Sequence, residues 1–167
     1  MIKKKSVLSI ILAIFMFIPA MFLLTACGDV PPNSEPISEK GKIYSVQNKQ
    51  SDVVFYWGDD KDSLMEEVGS EENARTVFST FTVTFDEEEK VIVSISGLSD
   101  GGLFYVINDF NCIEFYDTKE DAENRANRVT DDYYNAEYKF SEDKKVITIK
   151  QQVSTKTSII LKLSANV

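Results

Sequence analysis

From Ser79 onward the residues alternate with a period of two, and no feature restricts the fold more tightly than that alternation. In the stretch 79–85 Phe81, Val83 and Phe85 alternate with Thr80, Thr82 and Thr84. Successive side chains of a strand point to opposite faces, so this pattern describes a strand with one buried side. After Val91 the pattern continues, with Val93 and Ile95 on one face and Ser94 and Ser96 on the other. The intervening DEEEK has hairpin length, and its acidic run from Asp86 to Glu89 reads as a solvated turn, not as paired catalytic carboxylates. Residues 85–95 align without gaps with residues 140–150, sharing phenylalanine, glutamate, lysine, valine and isoleucine. We read this as a repeated hairpin device, not a duplicated domain. Further strand signals begin at Lys42, Val53, Leu103, Cys112, Ala136 and Ser158.

Two charged helical insertions interrupt the strands. The first, from Asp62, offers Ser63 and Glu66 as a capping box, a stop at Gly69 and a second start at Ser70. The second, from Thr118, offers Asp117 as N-cap and an apolar face of Ala122, Ala126 and Val129. The expected fold is mainly β with two short helices lying outside the sheet or closing one end. An antiparallel meander of about eight or nine strands forms a barrel or a strongly curved sheet, and closure is preferred because it removes exposed edges.

The N-terminus is of a different kind. Lys3, Lys4 and Lys5 precede an apolar run from Val7 to Leu24, interrupted only by Ser9 and Pro19, the plan of a bacterial export signal. Its exit, Leu24-Thr25-Ala26-Cys27-Gly28, resembles the lipobox of bacterial lipoproteins. That resemblance implies cleavage of residues 1–26 and acylation of Cys27, which becomes the membrane anchor on the extracellular side. Anchoring by acyl chains is physically sufficient, since each buried methylene contributes roughly 0.8 kcal/mol. The alternative is an uncleaved transmembrane helix, because the run is about long enough to span the hydrocarbon core. Both readings leave the lysines on the cytoplasmic side. Residues 27–40 contain Pro31, Pro32 and Pro36 with few apolar side chains and read as a flexible tether. A single domain is expected over residues 41–167.

The charge balance excludes partners. Loss of the three leader lysines takes the 18 basic residues to 15 against 27 acidic ones, a net of −12. Such a domain is repelled by anionic headgroups and by nucleic acid. The chain contains no histidine. That removes the Ser-His-Asp triad, the Cys-His pair and the common zinc sites. Glycoside hydrolysis would need two carboxylates across a cleft, and the acidic residues single out no pair. No catalytic residue, cofactor or metal is assigned, and the expected role is not enzymatic. Asp59, Asp60, Asp62 and Glu66 contain hard oxygen ligands but fail the EF-hand spacing, and acidic residues at a helix start already answer to the macrodipole. With Cys27 acylated, Cys112 has no intramolecular partner and is expected as a buried, inert thiol.

The order of Gly41-Lys42-Ile43-Tyr44, a tryptophan at Trp57, a charged helix, and then Thr82-Val83-Thr84-Phe85-Asp86-Glu87 resembles the small lipocalin-like lipoprotein domains of Gram-positive bacteria. In that family a Gly-Lys-x-Tyr strand leads through a helix to a Thr-x-Thr-Phe-Asn-Glu-Asp-Gly-Thr hairpin. Here Asp86 replaces the asparagine, and Glu88-Glu89-Lys90 lacks the glycine. The resemblance implies a lipocalin-like barrel over most of residues 41–153, and many such barrels bind small apolar molecules. The chain's aromatics can line such a cavity or fill a packed core. Trp57, Phe104, Phe115 and Tyr138 are the candidate ligand-binding residues. The function expected is a lipid-anchored surface module for a small, largely apolar or neutral molecule. The alternative is a structural or protein-interaction lipoprotein of the cell envelope, contacting its partner through an acidic face that bears Tyr133 and Tyr134.

Overall fold

The computed structural model describes residues 39–130 and 136–166. These residues form β1 (Ile43–Ser45), β2 (Val53–Tyr56), α1 (Lys61–Val68), α2 (Glu71–Phe78), β3 (Thr82–Phe85), β4 (Lys90–Ile95) and β5 (Leu98–Ile107). There follow β6 (Ile113–Tyr116), α3 (Lys119–Asn124), β7 (Glu137–Phe140), β8 (Val146–Gln152) and β9 (Ser158–Ala165). All strand pairs are antiparallel, along the path β6-β5-β4-β3-β1-β9-β8-β7. The two ends of the path meet where Cys112 bridges Lys139 and the Phe140 amide donates to the Asn111 carbonyl at 2.8 Å. The result is a nearly closed antiparallel barrel, the mainly β architecture expected from the alternation.

β1 and β2 share one neighbour. β2 pairs with Ser158 to Leu161 of β9, and β1 with Ser164 and Ala165. The Asp52 carbonyl accepts from the Lys162 amide at 2.8 Å, so the next carbonyl, that of Val53, points away from β9. There the Arg75 guanidinium of α2 donates to it. A side chain thus covers a strand edge that would otherwise be left open.

The alternation buries the side chains it was expected to bury. Phe81, Val83 and Phe85, then Val91, Val93 and Ile95, are at most 1 % exposed. With Tyr44, Phe115, Tyr138, Phe140, Ile147, Ile149, Ile159, Leu161 and Leu163 they fill the barrel. Tyr44 meets Phe85 and Phe140 edge-on, with ring centroids 5.8 and 5.5 Å apart, a favourable aromatic geometry. The turns β3–β4, β5–β6 and β7–β8 gather at one end of the barrel. α1 and α2 close the other, beside the β8–β9 turn.

Three local expectations are corrected. α1 starts earlier than the Ser63 capping box, with Asp60 at the N-cap and no side-chain cap bond, because the Asp60 carboxylate is held by Ser154 and Thr157 instead. The break falls where the sequence marks it, ending α1 at Gly69 with φ 84° and restarting at Ser70, whose hydroxyl accepts from the Asn73 amide at 3.1 Å, so that three helices, not two, stand among the described residues. Thr118, not Asp117, caps α3, and the left-handed Arg125 at φ 51° ends it. Ala126 and Val129 therefore lie beyond the helix, and the Val129 amide donates to the Phe115 carbonyl of β6 at 2.8 Å.

The repeated hairpin also differs in register. Phe85 pairs with Val91, whereas Phe140 pairs with Ile147, so the second loop is one residue longer. The gapless alignment therefore sets buried Val91 against half-buried Val146, while Ile147 and Ile149 take the core. What the two turns do share is a left-handed residue at equivalent places, Glu89 at φ 66° and Lys144 at φ 57°.

Candidate functional site

At the helical end of the barrel, Phe55 and Trp57 stand two residues apart and stack with centroids 4.7 Å apart at 13°. α2 packs against them from one side, with Phe78 edge-on to Phe55 at 5.9 Å. α1 lies across the top. The groove so formed is lined by Phe55, Trp57, Leu64, Met65, Val68, Ala74, Phe78 and Val153. Its space for the centre of a water-sized sphere is about 10 Å³, room for about one water. α1 buries none of its residues fully, whereas α2 buries Ala74 and Phe78.

Charges fix the tryptophan at the rim. Its Nε1 donates to Glu71 Oε2 at 3.0 Å, and Lys61 Nζ lies 5.2 Å from the ring centroid. Glu71 also accepts from Arg75 at 2.9 Å and from Lys61 at 3.2 Å. The Arg75 hydrogen bond holds the Glu71 carboxyl below the usual glutamate range against burial, which alone would raise it, and Lys61 and Trp57 add to the effect. Beneath the rim the lining is apolar, so the groove offers an apolar guest contact area and a ring to stack on. It offers no nucleophile.

The four candidate aromatics do not share one site. Phe115 and Tyr138 meet edge-on inside the barrel at 4.9 Å, and both are buried. Phe104, half-buried, pairs with Lys90 and the buried Tyr116, with Lys90 Nζ 5.5 Å from its ring centroid. Only Trp57 lines the groove. The other lining residues went unselected in the sequence, where their one signal was the helical spacing of Leu64 with Val68 and of Ala74 with Phe78.

The acidic stretch after Trp57 is engaged within the protein. Asp59 pairs with Lys156 at 2.6 Å, and Asp60 accepts from Thr157 at 2.6 Å and from Ser154. Among the described residues no three His, Cys, Asp or Glu groups stand together as a metal site. Cys112 is buried, as expected. Cys27, Tyr133 and Tyr134 lie outside the described residues. Among the described residues no helix is long and apolar enough to cross a membrane. Comparison with protein-family profiles, curated proteins and solved structures finds no match.

Proposed function

We propose that this protein is a lipid-anchored binding module of the bacterial cell surface, which takes a small, largely apolar or neutral molecule into the groove beneath α1 without chemical change. The observation that carries the reading is the construction of that groove. Apolar side chains line it, and its cover is a helix with no fully buried residue. A helix held that lightly can lift at modest cost, enlarging a groove that in its present form holds about one water. The barrel interior is the weaker choice, because tightly packed rings and aliphatic side chains occupy it. The lipobox resemblance supports an anchor at Cys27 and an extracellular position.

Native mass spectrometry of protein purified gently from an exporting host tests this reading. The expected result is an excess mass in the wild type that disappears on denaturation and is absent from Val68→Asp, whose new charge lies in the groove. An excess mass retained in Val68→Asp would move the ligand elsewhere. A bare wild-type mass, together with capture of a basic envelope protein that salt releases, would favour the interaction lipoprotein.

A further inference from the structure

A charge closes the end of the barrel opposite the helices. Glu39, the first described residue, is 2 % exposed, while Lys40 and Gly41 after it are exposed. Sequence composition assigns Glu39 to the tether, yet its side chain belongs to the folded domain. Its Oε2 accepts from Lys42 Nζ at 2.5 Å and from the Tyr44 hydroxyl at 3.0 Å. Its amide donates to the Tyr105 hydroxyl at 3.3 Å. The Tyr44 hydroxyl has one proton and two acceptors in reach, Glu39 and the Lys144 carbonyl at 2.7 Å, so the proton is shared.

The Lys144 ammonium lies beside this cluster. Its ammonium donates to Asn111 Oδ1 and lies 5.1 Å from the Phe140 ring centroid. Burial pushes that ammonium below the ordinary lysine value, and the Glu39 carboxylate opposes the shift. Behind these groups stands Phe85, in ring contact with Tyr105 on one side and Phe140 on the other. The Lys42 ammonium and the Tyr44 phenol thus meet the carboxylate in front of an aromatic wall, with the Tyr105 hydroxyl on the Glu39 amide and the Lys144 ammonium near enough to feel its charge. That donor set suits a carboxylate, since a buried carboxylate is tolerated only where cations and hydrogen-bond donors meet it. Glu39 supplies the carboxylate from outside every strand and helix.

We propose that this mouth is a carboxylate-binding site which the chain occupies with its own Glu39, and that a carboxylate borne by another molecule takes the place when Glu39 leaves. The site is separate from the groove beneath α1 and does not depend on it. Full-length protein in detergent, as wild type, Glu39→Ala and Glu39→Gln, tests the proposal with sodium acetate as probe and sodium chloride at equal ionic strength as control. In Glu39→Ala about 100 mM acetate raises the thermal midpoint by about 3 to 6 °C and chloride does not. The wild type and Glu39→Gln, whose sites are filled, shift by less than about 1 °C. Equal responses to acetate and chloride, or an equal acetate response in Glu39→Gln, would overturn it.

Should Glu39→Ala fail to fold, the wild type carries the test. About 1 M acetate displaces Glu39 by mass action and speeds tryptic cleavage after Lys40 several-fold over chloride. Cleavage rates that match in the two salts would equally overturn the proposal.

Discussion

Glu89 holds a left-handed backbone, φ 66°, in the turn of the β3–β4 hairpin, where a Cβ is unfavourable and glycine, without one, is not. This is also the position at which the lipocalin-like hairpin pattern carries glycine. The Glu89 ion pairs with Lys40 at 3.2 Å and Lys119 at 3.4 Å are exposed and contribute little. Glu89→Gly should therefore stabilise the fold by about 0.5 kcal/mol, the relief of strain outweighing the added freedom of the unfolded chain. Urea unfolding measures it, and a loss of stability would show that the ion pairs outweigh the strain. Gly58 presents the opposite case. A Cβ there would stand 2.5 Å from Lys156 Cβ and 2.7 Å from the Lys156 carbonyl oxygen, and the backbone cannot yield as a flexible side chain would. Gly58→Ala should cost about 2 to 3 kcal/mol, and a change below about 0.5 kcal/mol would mean that the β8–β9 turn is free to move.

The β8–β9 turn is fastened to the segment between β2 and α1 by Asp60. Burial pushes the Asp60 carboxyl up, but hydrogen bonds from Ser154 and Thr157 outweigh it and hold the group below its ordinary value of 3.8. A lowered folded value gives stability that is present above the ordinary value and is lost as pH falls through the folded one. The thermal midpoint of the wild type should therefore fall on acidification below about pH 4, and Asp60→Asn should flatten part of that fall while costing about 1 kcal/mol at neutral pH. Superimposable acid limbs would contradict this role. Asp60 also shows where sequence reading stops. The strands were legible because burial on one face forces a period of two, and Gly69 and Ser70 marked a helix break by local chemistry alone. The Ser63 capping box failed because Asp60 and its partners Ser154 and Thr157 lie 94 and 97 residues apart. Trp57 was legible as a candidate, but its separation from Phe104, Phe115 and Tyr138 was not, because barrel closure decides which aromatics meet.

At the scale of the molecule, anchor and sulfur chemistry are linked. The chain has two cysteines, so acylation of Cys27 would leave no second cysteine for a disulfide at Cys112. If the proposed lipidation is right, membrane-bound protein unfolded without reductant should expose one alkylatable thiol per chain, at Cys112. No alkylatable thiol would count against the anchor. Cys27→Ala should abolish palmitate labelling, and retained labelling would refute the lipobox. In the proposed anchored form, a net charge of −12 would hold the domain off an anionic bilayer. The most direct test of the binding role uses the one tryptophan of the chain, which lies on the groove. Titration with a neutral, fluorescent apolar probe should quench Trp57 emission saturably, with energy transfer to the probe. In Leu64→Asp the response should be lost while the circular dichroism of the barrel is kept. Linear, unsaturable quenching, or the same response in Leu64→Asp, would contradict a binding site beneath α1.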